Sequence, residues 1–257
     1  MMAHPALSSA FPGSTPNLER TKPPSEKRAA LPPADLLPVG RHANLAYRAV
    51  LLVAIPLLRL CFRFQLQGRE NIPRPGNGNY IVIANHLNWL DEFTILYLFP
   101  VEPRLHFLAD PTGLVKRKVQ WFIVRQVGGY VPVDRDHHGD QSLYHHVNRC
   151  LEVGGAIAMF PEGNYGPVEG GLMAFKKGFA HFAIQAGVPV VPVGLAGTKD
   201  LWFRKRIRIA IGPAMSPIGH TPESLTDAGH QRVKELMPAY VEEPGRKLLR
   251  RQLTNLF

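Results

Sequence analysis

Residues 80–91 read YIVIANHLNWLD. The first five are continuously apolar, rich in β-branched residues and too few for an ordinary helix, so they read as a buried strand. A polar turn begins at Asn85-His86, and residues 92–99 carry a helical window. The same alternation continues toward the C-terminus. Residues 156–160 (AIAMF) read as another buried strand. Residues 188–193 (VPVVPV) read as a strand whose prolines place it near an edge or an irregular end. Residues 206–211 (RIRIAI) alternate with period two, so one face of that strand is wet. Helical windows cover roughly residues 114–127, 141–153 and 174–186, the last closed by Gly187 as a C-cap. Strands alternating with helices predict an α/β fold: a layered mixed sheet flanked by helices.

Ahead of this pattern, residues 45–64 read LAYRAVLLVAIPLLRLCFRF. The uninterrupted apolar part, residues 49–58, is about 15 Å long as a helix, half of a bilayer core of about 30 Å. Arg48, Arg59 and Arg63 bracket it, and Pro56 is expected to kink it. Two readings stay open: a helix buried against the domain, or a monotopic, membrane-associating helix with its arginines at lipid phosphates. Residues 1–40 hold 8 of the 24 prolines and no periodic pattern, so they read as a disordered tail without a secretory signal.

The whole chain of 257 residues is 45% hydrophobic and 19% charged, which is globular composition. Its net charge is 30 − 20 = +10, of which residues 41–257 carry 26 − 17 = +9. An anionic partner is therefore expected, either nucleic acid, a membrane surface or a phosphorylated small molecule. Two cysteines, Cys61 and Cys150, cannot make a disulfide framework, and no zinc spacing occurs. His137, His138, His145 and His146, near Asp136 and Asp140, are read as a solvated surface and not as a metal cluster. Cys150 is read as buried in its helix and unreactive. Trp89 and Trp121 are read as core or membrane-edge residues.

Two clusters carry chemistry. In the first, His86 and Asp91 follow a buried strand. Five residues on a regular helix turn about 500°, so the pair would not share a face. They can meet only across an irregular strand-to-helix turn. There a carboxylate on one imidazole nitrogen fixes the tautomer and makes the other nitrogen a better base. The bland alternative is a helix-capping Asp beside an unrelated loop His. In the second, Phe160-Pro161-Glu162-Gly163-Asn164-Tyr165-Gly166 follows another buried strand. Glu162 stands where α/β sheets often place functional groups, and Gly163 permits close backbone approach. Lys176 and Lys177 open a later helix, either as a phosphate site or as a solvated helix start.

In combination, these residues resemble the glycerolipid acyltransferases, above all the lysophosphatidate (1-acylglycerol-3-phosphate) acyltransferases. The resemblance runs from about residue 68 to residue 211. It implies that His86 and Asp91 are the catalytic pair. It implies that GYVPVDR, residues 129–135, is the second block, with Arg135 binding the acceptor. Residues 160–163 match the third block and residues 188–193 the fourth, which lines the acyl site. Glu162, Gly163, Asn164, Lys176 and Lys177 are then expected around the substrate. The organisation implied is a Pro/Ser-rich tail (1–40), a membrane-associating or docking helix (41–66), an acyltransferase domain (67–220) and a charged C-terminal helical tail (221–257).

The implied reaction moves an acyl group from acyl-CoA or acyl-carrier protein to a lysophospholipid hydroxyl, forming phosphatidate from lysophosphatidate. No metal or cofactor is implied, nor any nucleic acid. The expected setting is the cytoplasmic face of a membrane, with its anionic surface as partner. A backbone N–H near Gly163 is expected to serve the oxyanion. There are two departures from the family pattern. The third block lacks its usual Arg, with Asn164-Tyr165-Gly166 in place of Thr-Arg-Ser, and Asp110 stands where many members have Lys. Both bear on the acceptor, which could instead be a non-phosphorylated lipid. A non-catalytic membrane-binding module is the reading from a different class, and the intact His86/Asp91 pair argues against it.

Overall fold

A computed structural model describes residues 39–74, 78–109, 118–133 and 141–256. Its elements are α1 (Leu45–Cys61), β1 (Phe62–Gln67), β2 (Ile81–Ala84), α2 (Leu90–Leu98), β3 (Leu105–Ala109), α3 (Lys118–Val127), β4 (Tyr130–Pro132), α4 (Gln141–Glu152), β5 (Ala156–Met159), α5 (Gly178–Ala186), β6 (Val190–Ala196), β7 (Lys205–Ile211), α6 (Pro222–Leu236) and α7 (Arg250–Thr254). The strands form one sheet in the order β1-β7-β6-β2-β5-β3-β4. Every pairing is parallel except β6 with β7. The sheet is therefore mixed, as the alternation predicts.

Helices cover both faces, which is why β2 is buried at all four positions. Val82 and Ala84 face a cluster with Leu58, Leu90 and Ile95 from α1 and α2. Ile81 and Ile83 face Val147, Phe179, Phe182 and Val233 from α4, α5 and α6. Alternate side chains of a strand point to opposite faces, so one apolar run serves both layers.

Three strands, β1, β3 and β4, were not legible as such. The helix read over residues 45–64 ends at Cys61, because Phe62–Gln67 joins the sheet beside β7. The strand with prolines is not at an edge: β6 lies between β7 and β2. Pro192 is tolerated because the β6–β7 register ends at Val193↔Ile211. The Pro192 carbonyl accepts from Gly212 N at 3.0 Å, and pairing on that side resumes at Val190 with Met215, so the missing N–H falls in the gap between the two. The C-terminal region is helical over Pro222–Leu236 and Arg250–Thr254, with irregular chain between them.

In α1, the Asn44 side chain caps the first turn by accepting from Tyr47 N at 2.7 Å. Tyr47, Leu51 and Leu58 make the buried stripe, whereas Leu45, Leu52, Val53, Leu57 and Leu60 are exposed. Pro56 is accommodated within this single 17-residue helix. Among the described residues no helix is long and apolar enough to cross a membrane.

Lys205, at the start of β7, is buried. Its Nζ donates to the Asp200 carbonyl and lies 4.1 Å from the Trp202 ring centroid and 4.9 Å from that of Tyr240. Burial pulls its pKa from 10.5 down to about 8, assisted by Lys247 and Arg250 and opposed by Glu169 and Asp200. The unfolded chain then holds this proton more tightly than the folded one. Stability should therefore rise with pH between about 8 and about 10.5. We expect the stability of the wild type, measured against Lys205→Met by denaturant unfolding, to grow across that window. A difference that stays flat with pH would refute the effect.

Candidate active site

The parallel arrangement brings the carboxyl ends of β2 and β5 side by side, and both sequence clusters leave the sheet there. Asn85 is the first residue beyond β2 and is buried. Its side chain imitates a strand residue, donating to Leu195 O at 3.0 Å and accepting from Leu195 N at 2.7 Å. That pair fixes where the chain turns out of the sheet, so His86 emerges at a defined place.

His86 and Asp91 meet. The His86 Nδ1 to Asp91 Oδ2 distance is 3.0 Å, with the His86 side chain 12% exposed and that of Asp91 fully buried. The same Oδ2 accepts from Leu87 N and from Asn88 N, the latter at 2.9 Å. Asp91 thus holds the turn that leads into α2 and the imidazole at once. It is not the cap of α2, whose N-cap is Trp89 without a side-chain hydrogen bond, so the pairing reading stands and the capping alternative does not. Its Oδ1 is buried and has no hydrogen bond among the described residues. An ionised carboxylate accepting at Nδ1 requires the proton there, which leaves the Nε2 lone pair available. The imidazole is held on both faces: Phe160 stacks at 3.9 Å and 9°, and Tyr165 lies at 4.3 Å and 50°.

Glu162 does not point at an open site. It is buried, and its two oxygens accept from His86 N and from Met173 N, each at 2.8 Å. The side chain therefore ties the His86 turn to the third-block loop. Burial raises its pKa, partly offset by those two hydrogen bonds. A second link runs from Gly166 N to His86 O at 2.6 Å. Burial likewise raises the pKa of Glu92, next to Asp91, with His86 opposing and Asp91 adding to the shift.

Gly163 takes φ +74°, and a Cβ there would stand 2.8 Å from Lys176 Nζ. Glycine is therefore favoured by the backbone; the space itself could be cleared by moving the flexible end of Lys176. The Gly163 N–H itself donates to Phe160 O at 3.0 Å and is used within the turn, so an oxyanion donor near Gly163 would have to be a neighbouring N–H. Asn164 and Lys176 are exposed, and Lys176 lies over Gly163. Lys177 is directed elsewhere, its Nζ 2.7 Å from Glu223 of α6. It does not join the site, because a helix-start carboxylate nearby satisfies it first. Arg135 and Asp110 lie outside the described residues, as do His137 and His138. Cys150 is buried with its thiol pKa pushed up to about 12, matching the inert reading.

The sequence reading missed the roles of Asn85, Phe160 and Tyr165. Phe160 reads as the last apolar residue of a strand, and nothing in its spacing signals that it stacks on a residue 74 positions away. What the assembled group can do is base chemistry: a carboxylate-oriented imidazole, clamped between rings, whose Nε2 makes no hydrogen bond among the described residues.

Comparison with known proteins agrees with this geometry. A family model described as Acyltransferase matches residues 63–196. A 1-acyl-sn-glycerol-3-phosphate acyltransferase from Limnanthes alba is 29% identical over 169 residues, covering 63% of this chain and 55% of the relative. The human 1-acyl-sn-glycerol-3-phosphate acyltransferase alpha is 26% identical over 176 residues, covering 63% and 58%. The chain thus spans little more than half the length of these relatives. The crystal structure of the 1-acyl-sn-glycerophosphate acyltransferase PlsC from Thermotoga maritima superposes with a TM-score of 0.59 at 26% identity, covering 74% of this chain and 78% of that one.

Proposed function

The chain belongs to the acyltransferase family, and from that membership we propose that it transfers a fatty acyl group from a thioester to lysophosphatidate, forming phosphatidate. The observation that carries this reading is the 3.0 Å contact between His86 Nδ1 and buried Asp91. In the proposed step His86 Nε2 takes the proton of the acceptor hydroxyl as its oxygen attacks the thioester carbonyl. Asp91 stabilises the imidazolium. The tetrahedral intermediate collapses, the C–S bond breaks, and the departing thiolate receives a proton. Such general-base help is worth about 10²–10⁴-fold. The donor is already activated, so no acyl-enzyme is needed. Acyl-CoA and acyl-carrier protein both fit this chemistry as donor. The exposed apolar face of α1 and its flanking Arg59 and Arg63 support work at an anionic membrane surface, which we take to be the cytoplasmic face; Arg48 is paired with Glu102.

A specific observation favours a second acceptor class. Tyr165 stands against His86 where the family pattern places an Arg, and Lys177 is paired with Glu223. Two cations that could grip a phosphate are therefore missing, and Arg135 must carry more of that load. A screen of the purified protein with lysophosphatidate, other lysolipids and neutral lipid alcohols tests the choice. With a phosphorylated acceptor, Arg135→Ala should raise acceptor KM about 10-fold to 150-fold, since a hydrogen bond to a charged group is worth about 1.5–3 kcal/mol. Acyl-donor hydrolysis should change little. If Arg135→Ala leaves acceptor kinetics untouched and a neutral lipid alcohol outcompetes lysophosphatidate, the phosphatidate assignment fails.

A further inference from the structure

The C-terminal residues 247–256 run back along the catalytic end of the sheet, although the sequence signals only a charged tail. Their backbone and polar groups anchor them there. Phe203 N donates to Leu248 O at 2.9 Å, and Leu201 N donates to Thr254 Oγ1 at 2.9 Å. Arg250 pairs with Asp200 at 2.9 Å, and Lys247 Nζ lies 5.0 Å over the Trp202 ring. Two bonds reach the catalytic loop itself: Trp89 Nε1 to Leu253 O at 2.8 Å and Asn88 Nδ2 to Thr254 O at 3.3 Å.

None of these bonds uses the side chains of Leu248, Leu249 or Leu256, which are 58%, 54% and 51% exposed. Leu249 has φ 59°, a left-handed conformation that non-glycine residues rarely take. The turn therefore presents two adjacent leucines to the outside at a conformational cost. The patch continues into α1. Phe203, bonded to Leu248, precedes Arg204, whose guanidinium donates to Arg59 O and Leu60 O, and Leu60 is 60% exposed.

The charge around this patch is positive. Arg59 and Arg204 spend their hydrogen bonds on a tyrosine hydroxyl and on carbonyls and make no ion pair among the described residues. Arg246 and Arg251 are exposed and make no ion pair among the described residues. Of the carboxylates nearby, Asp200 and Glu242 are paired with cations of the arm, Glu243 with Arg206, and Glu169 accepts from Gly197 N and Lys199 N. Exposed leucines ringed by guanidinium groups match an anionic bilayer, whose phosphates take the charge while its acyl region takes the side chains.

We propose that residues 247–256 are a lipid-contacting arm which, with the end of α1, seats the catalytic end of the domain on an anionic membrane surface. The proposal extends the lipid-acceptor reading above. It also gives Asn88 and Trp89 a role: they couple the membrane-seated arm to the loop carrying His86 and Asp91.

The test uses the full chain and vesicles of phosphatidylcholine with or without phosphatidylglycerol. The triple variant Leu248→Ser, Leu249→Ser, Leu256→Ser should bind anionic vesicles at least tenfold more weakly than wild type, with an unchanged thermal melt. Its turnover of a short-chain acceptor dissolved as monomer should match wild type. Arg246→Gln with Arg251→Gln should weaken anionic vesicle binding about fivefold per charge and leave binding to neutral vesicles alone. Vesicle binding is read without turnover, so a protein inactive on every acceptor would still report on the arm. Unchanged binding by the folded triple variant would overturn the proposal. So would unchanged binding together with a shift in oligomeric state without vesicles, which would make the arm an interface between copies of the chain.

Discussion

His86→Ala is expected to lower the rate of acyl transfer by about 10²–10⁴-fold while the chain stays folded. The imidazole is clamped between Phe160 and Tyr165 at the surface of the site, and its only hydrogen bond among the described residues is to Asp91. Its removal takes away the base without opening the core. Asp91 calls for a gentler substitution. Its Oδ2 also serves Leu87 N and Asn88 N at a buried position. Asp91→Ala would strand those donors at about 1–3 kcal/mol each and confuse folding with catalysis. Asp91→Asn keeps an acceptor for the turn but removes the charge that holds the imidazolium, so the rate should fall within the same range. Circular dichroism checks the fold, and thioester release reports the rate. Folded variants with near wild-type rates would refute the mechanism.

Glu162→Ala is expected to have the next largest effect, and through kcat. Its carboxylate holds two backbone donors, His86 N and Met173 N, at 2.8 Å each. Without it, two amide groups lose their partner, costing about 2–6 kcal/mol in all. The His86 turn then loses one of its ties to the 160–173 loop. Since a displacement of about 1 Å at a reacting group can cost about 10²-fold, kcat should drop by that order. Acceptor KM should change little, because the carboxylate touches backbone and not the site's open side. Glu162→Gln should fall in between: one amide oxygen can still accept, while the new NH₂ faces an N–H. Should KM rise with kcat preserved, Glu162 binds the acceptor directly and the bracing role is wrong.

These two positions also show why some residues were readable and others were not. His86 and Asp91 stand in a local stretch, and their meeting needs only an irregular turn after a strand, which the apolar run at 80–84 signals. Glu162 lies 76 residues from His86, and no local pattern says that its oxygens face two amides. The reading therefore placed it at the substrate, next to Gly163. Lys176 and Lys177 were equivalent in sequence. The fold separates them, because Glu223 of α6 stands within 2.7 Å of one and not the other. The strands β1, β3 and β4 escaped for a related reason: what makes them strands is a neighbour in the sheet, and their own patterns are weak.

By itself, the sequence determined the layered α/β class, the buried strands β2 and β5, the alternating β7, and the two turns that carry the chemistry. Periods of two and 3.6 residues and the chemistry of a five-residue turn are local properties, and each is written in adjacent residues. The tertiary structure alone decided that VPVVPV runs inside the sheet, that Phe160 and Tyr165 clamp the imidazole, and that Glu162 is a brace. It also decided that the C-terminal arm returns to the catalytic loop. Those outcomes depend on which distant segment offers the complementary donor, ring or ladder edge, and pairing across 70 to 170 residues leaves no periodic trace in the chain.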